Sequence, residues 1–125
     1  MVKISLLGIP HDDNSHFLKG AAEAPPLIRS DLHSDSHSMW SETGIDLGIE
    51  GTIVDHGDIQ FDSASDPWDL IEQNVGRALE SGNQPIVAAD IVEYNPRCDV
   101  SNMTAIVAAK LLKEIAGMMV KTARK

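Results

Sequence analysis

Apolar positions along this chain fall into two rhythms, short continuous runs and helically spaced stripes. Residues 3–8, Lys-Ile-Ser-Leu-Leu-Gly, are a mostly apolar run ending at Gly8-Ile9-Pro10, which predicts a buried strand entering a loop. Residues 51–55, Gly-Thr-Ile-Val-Asp, predict a second short strand, with His56-Gly57-Asp58 turning the chain outward. Residues 86–93 are apolar at nearly every position from Ile86 to Val92, as expected of a strand covered on both faces. The helical spacing lies elsewhere. Trp68, Ile71, Val75 and Leu79 share one face of a predicted helix over about 67–81. Asp66 is its expected cap, Pro67 its first residue and Gly82 its stop. A second helix is predicted over 101–118, capped by Asp99 or Ser101. Its Ala105, Ala108 and Ala109 permit close packing. A shorter helix starts near Pro26 and carries Leu27, Ile28 and Leu32.

Strands alternating with helices imply an α/β domain of the three-layer α-β-α type. Its parallel sheet has about three strands, the second and third joined by a right-handed crossover. Residues 11–25 and 33–50 are rich in small and polar residues and read as loops. With 125 residues, one domain (1–125) is expected.

Composition narrows the partners. Net charge is −9, the opposite of what phosphate binding needs, so nucleic acid and anionic membrane surfaces are not expected. No run approaches the roughly 20 apolar residues of a membrane span, and Met1–Leu7 lacks a signal peptide's apolar stretch. The single cysteine, Cys98, forms no internal disulfide and reads as an incidental thiol, with the cytoplasm as the expected location.

Candidate chemistry is sparse. Asp31-Leu32-His33-Ser34-Asp35-Ser36-His37 has D-x-H-x-D spacing. If extended, it would place Asp31, His33, Asp35 and His37 on one face, where two imidazoles and two carboxylates could hold zinc or manganese. The bland alternative is a solvated loop. His11, Asp12, Asp13 and His16 form a second polar cluster that reads as loop. His56 reads as turn chemistry, and Asp58 as an acceptor of backbone amides. Met103, Met118 and Met119 read as core or interface.

Four segments carry a resemblance. They are Leu6-Leu7-Gly8-Ile9-Pro10 with Gly20 to Arg29; Val54-Asp55-His56-Gly57-Asp58; Gly82-Asn83-Gln84-Pro85-Ile86-Val87; and Asp90-Ile91-Val92-Glu93-Tyr94-Asn95-Pro96 before an alanine-rich helix. Together they resemble the ureohydrolases, the arginase and agmatinase family of manganese enzymes. Residues 1–87 resemble that family's N-terminal part and residues 88–125 its C-terminal part. The resemblance implies a reduced arginase-like fold. It also matches Glu93 to a carboxylate that pairs with a substrate guanidinium; otherwise Glu93 is a strand-end carboxylate that caps a loop or faces solvent.

The family's metal motifs are missing here. Ile86-Val87 continues into Ala88-Ala89-Asp90-Ile91 where the family has Gly-Gly-Asp-His, and no such tetrapeptide occurs in the chain. An internal deletion that fuses two strands is inferred, with the central metal-binding half absent. The resemblance implies manganese in the parent family; no cofactor is expected in this chain. The favoured function is a self-associating scaffold without hydrolase activity, dimeric or larger. Met103, Ile106, Val107, Met118 and Met119 are expected near the contact. The alternatives are a metal-dependent hydrolase of guanidinium C–N bonds using Asp31, His33, Asp35, His37 and Glu93, and a binding module for guanidinium or polyamine ligands.

Overall fold

The structure is a computed structural model that describes residues 2–80 and 88–123. Among them are two strands, β1 (Ile4–Gly8) and β2 (Ile53–Asp58), and three α-helices: α1 (Ala24–Leu32), α2 (Pro67–Glu80) and α3 (Met103–Ala123). Single 3₁₀ turns occupy Ala21–Glu23 and Pro96–Cys98. The architecture is α/β with a small parallel sheet.

The two strands pair in parallel, with Ile4 beside Ile53, Ser5 beside Val54 and Leu6 beside Asp55. An irregularity between Leu6 and Gly8 brings Gly8 opposite Asp58. β2 therefore runs through His56 and Gly57 to Asp58, where a turn was expected. His56 Nε2 lies 3.2 Å from Ser5 Oγ across the pair.

The expected third strand over 86–93 needs correction. Residues 88–95 form no strand; Ala88 to Asp90 and Val92 are exposed. Residues 86 and 87, like Gly82, lie outside the described residues. An apolar run states a preference for burial but not for a ladder, because a strand also needs a neighbour for its backbone hydrogen bonds.

The helices sit close to their predicted places. Asp66 Oδ1 accepts the Trp68 amide at 2.8 Å, capping α2 as expected. Asp99 holds the start of α3: its carboxylate accepts the Thr104 amide at 3.0 Å and the Thr104 hydroxyl at 2.8 Å. α2 packs on β1, with Ser5 Oγ donating to the Ala78 carbonyl at 3.2 Å. Trp68 and Leu79, two of the four residues on its predicted apolar face, are exposed.

α3 turns its small residues inward. Ala105, Ala108, Ala109, Ala116 and Gly117 are buried. A Cβ on Gly117 would lie 2.7 Å from Ser41, so the helix approaches the 39–47 segment as closely as glycine allows. That segment was expected to be a loop, and it also supplies core. Leu47, 2% exposed, packs with Ala116 and Val120, and Val2, Ile4, Met39, Ile45 and Ile53 flank them. Lys113 is buried against it and donates from Nζ to the Ser38 carbonyl at 2.8 Å. A second small cluster joins Ala24, Tyr94 and Ala105 with Leu27 and Ile28. It anchors the segment after residue 90 to α1 and α3.

Candidate functional site

A groove of about 750 Å³ opens between the loop after β1, the start of α1 and residues 91–99. Each wall is fixed by local chemistry. Asp12 Oδ2 accepts the amides of Gly20 at 2.6 Å and Ala22 at 3.2 Å, closing the loop onto the turn before α1. These two hydrogen bonds stabilise the charged carboxylate and hold Asp12 below its ordinary range. Lys19 Nζ donates to the Asp12 carbonyl at 2.6 Å and also to that of Asp13.

The facing wall is pinned to this loop from the C-terminal side. Asn95 Oδ1 accepts the Arg97 amide at 3.0 Å, while its Nδ2 donates to the Lys19 carbonyl at 3.2 Å. Arg97 pairs with Glu23 through Nε at 2.7 Å and Nη2 at 2.5 Å. The Tyr94 hydroxyl donates to Asp99 Oδ2 at 3.2 Å. Burial pushes the Tyr94 phenol up, and its bond to Asp99 adds to that. Burial also opposes charge on Asp99, but hydrogen bonds from Thr104, Tyr94 and Val100 outweigh it and hold that carboxyl below its ordinary value.

Two groups give the groove its chemical character. Glu93 lies on its wall with a left-handed backbone, φ 65°, which costs a non-glycine residue about 1–3 kcal/mol. Its side chain is exposed. His11 lines the same groove, its ring 5.0 Å from Phe61 and 6.4 Å from Trp68. Its Nε2 is buried with no hydrogen-bond partner among the described residues. Periodicity gives no hint of His11 or Trp68 as groove residues, since both depend on how α2 sits over the loop.

The D-x-H-x-D segment lies elsewhere and is not extended. Asp31 is within α1, His33 ends the helix by donating its amide to the Arg29 carbonyl, and residues 34–37 form a turn. The common face that alternation would give to Asp31, His33, Asp35 and His37 is therefore lost. His33, Asp35 and His37 line a separate cavity of about 520 Å³, together with Glu50 and Asp55.

Beside that cavity is an ion-pair network. Arg29 Nε lies 2.8 Å from Asp55 Oδ2, and its Nη1 lies 2.6 Å from Asp58 Oδ1. His33 Nε2 approaches Asp55 Oδ2 at 3.3 Å. Partial burial opposes charge on Asp55, but the Arg29 hydrogen bond, aided by the Gly57 amide, leaves its carboxyl below the ordinary value. Asp58 thus takes a guanidinium where backbone amides were expected.

The described residues do not fit a pair of manganese ions. Asp55 and Asp58, the carboxylates at the end of β2, are already engaged by the Arg29 guanidinium. No three His, Cys, Asp or Glu side chains among the described residues converge as ligands would.

The comparisons agree with the fold. The sequence model of the Arginase family matches residues 2–88 and, separately, residues 81–117. Arginase 2, chloroplastic/mitochondrial, of Arabidopsis thaliana is 37% identical over 79 residues, covering 62% of this chain and 23% of that protein. Arginase of Glycine max is 42% identical over 62 residues, covering 50% and 18%. Formimidoylglutamase of Hahella chejuensis is 37% identical over 59 residues, covering 47% and 18%. The matched stretch thus spans less than a quarter of each of these relatives. Among the described residues, no helix is long and apolar enough to cross a membrane.

Proposed function

This chain belongs to the arginase family, and we propose that it is a reduced domain of that fold which associates with itself and does not hydrolyse guanidinium C–N bonds. The observation that carries the proposal is the seam. The family match divides into two stretches that overlap at residues 81–88. That is where the sequence passes from Ile86-Val87 to Ala88-Ala89-Asp90 in place of Gly-Gly-Asp-His. The division supports an internal deletion joining an N-terminal part, 1–87, to a C-terminal part, 88–125. Water at neutral pH is a poor nucleophile, and a metal pair makes it competent by lowering its pKa. With Arg29 holding Asp55 and Asp58, nothing comparable to generate hydroxide stands among the described residues. Purified protein with added Mn²⁺ should release no urea from arginine or agmatine above a metal-only blank. Metal-stimulated turnover that disappears in His33→Ala would instead establish the hydrolase alternative built on Asp31, His33, Asp35, His37 and Glu93.

Glu93 favours a second reading, a binding module for guanidinium or polyamine ligands. Its exposed carboxylate borders the groove, and a guanidinium could pair with it bidentately. Calorimetric titration with agmatine tests this. Heat that saturates and is abolished in Glu93→Gln supports it, and no saturable heat rules it out.

A further inference from the structure

The outward face of α3 is apolar, and nothing among the described residues covers it. Val107, Leu111 and Met118 are 55%, 51% and 53% exposed, and Met103 is exposed as well. Steps of four, four and seven residues place them in one stripe, opposite the alanine face packed on α1. A contiguous apolar stripe on a helix of roughly 30 Å, unlike a single exposed side chain, marks an interaction surface. The stripe is interrupted near its middle by one charge of each sign, Lys110 and Glu114, 3.0 Å apart.

We infer that the occupant of this face is a second copy of the chain, docked with the two α3 helices antiparallel about a two-fold axis near residue 112. This deepens the self-association proposed above and rests on it. The charges decide the direction. In a parallel pair each residue faces its own copy, setting Lys110 against Lys110 and Glu114 against Glu114. In an antiparallel pair, Lys110 of each copy faces Glu114 of the other, so two attractive pairs form at once. The same register places Val107 of one copy within one position of Met118 of the other and brings the two Leu111 side chains close to the axis. The surface is thus self-complementary, as an isologous contact requires. Lys110 already bonds to Glu42 and Glu114 within its chain, and an ammonium has three protons, so one remains for the second copy. With each copy at −9, long-range repulsion opposes pairing, so the contact depends on short-range apolar burial and this charge match.

Multi-angle light scattering and sedimentation on the full chain at micromolar concentration, in low salt, test the inference. Wild type should be a dimer. Leu111→Lys should be a monomer with an unchanged circular dichroism spectrum, since Leu111 is half exposed and belongs to neither buried cluster. Lys110→Glu and Glu114→Lys should each weaken the dimer about tenfold or more by opposing like charges. An equimolar mixture of the two should regain wild-type dimerisation, because one chain then presents two carboxylates to the other's two ammoniums. A fold defect in either variant cannot produce that rescue. A dimer that survives Leu111→Lys and ignores both charge changes overturns the α3 contact while leaving self-association standing. A monomeric wild type removes self-association itself, and the α3 contact with it.

Discussion

Arg29 Nη1 donates to Asp58 Oδ1 at 2.6 Å, tying the last turn of α1 to the last residue of β2. The same guanidinium holds Asp55 through Nε at 2.8 Å. Gly8 makes the room: a Cβ there would lie 1.7 Å from Asp58 Oδ1. One helix residue thus bridges two carboxylates at the end of the sheet and offsets one of their two charges.

Removing the cation should therefore cost more than a surface ion pair. Arg29→Ala takes the guanidinium from both carboxylates, leaving Asp55 with only the Gly57 amide and the His33 ring. We expect a loss of about 2 kcal/mol, the scale of charged hydrogen bonds that are only partly solvated. Arg29→Lys keeps the charge but not the fork and should fall between the two. Urea denaturation of the three proteins checks the order, and an Arg29→Ala midpoint equal to wild type would show that the network is solvated and inert.

Acid should remove the same contribution. The Asp55 carboxyl is held below its ordinary value of 3.8 in the folded chain. A depressed folded value means stability that is fully present above the unfolded value and is lost as pH falls through the folded one. Stability should thus decline below about pH 4, and Asp55→Asn should flatten that decline. The check is the urea midpoint of both proteins across pH 2.5–6; parallel curves would exclude Asp55 as a source of the acid sensitivity.

Gly20 is required by backbone and by space together. Its φ is 131°, and a Cβ there would lie 2.3 Å from Asn95 Oδ1. Gly20→Ala should destabilise by about 1–3 kcal/mol. It should also loosen the Asn95–Lys19 link that closes the groove, raising amide exchange at residues 94–98. If exchange there matches wild type, the link does not depend on Gly20.

Lys113 is a buried lysine whose ammonium reaches the Ser38 carbonyl. Lys113→Met keeps the packing of the stem and loses only the hydrogen bond, so it should cost about 1 kcal/mol. Lys113→Ala also opens a void against the 38–47 segment and should cost about twice as much or more. Thermal melts of the pair separate the two contributions; equal melting points would show that the stem contributes no packing.

Much of the fold was legible in the residues. β1, β2 and all three helices lie within a few positions of where periodicity, Asp66-Pro67 and the Pro25-Pro26 pair placed them. Those signals are local: a cap and its amide, or a stripe and its spacing, are complete within a few residues. The family was legible for a related reason, since Gly20 to Arg29 and Asp90 to Pro96 are contiguous words.

What the chain could not declare was every relationship that needs a second segment. Residues 88–93 have the composition of a strand, but a strand exists only against a neighbour, and these residues have none among those described. α3 is apolar on much of its circumference, so the sequence allowed either face to turn inward. Close approach to α1 and Ser41 selected the alanines and Gly117, leaving Val107, Leu111 and Met118 outside. The D-x-H-x-D spacing implied one face only if the backbone were extended, and the end of α1 runs through it instead. Asp58 met Arg29 rather than backbone amides because the two lie 29 residues apart and only folding brings them together. Local preference fixes the elements, but long-range packing decides which face is buried, which strand finds a partner and which charge is neutralised.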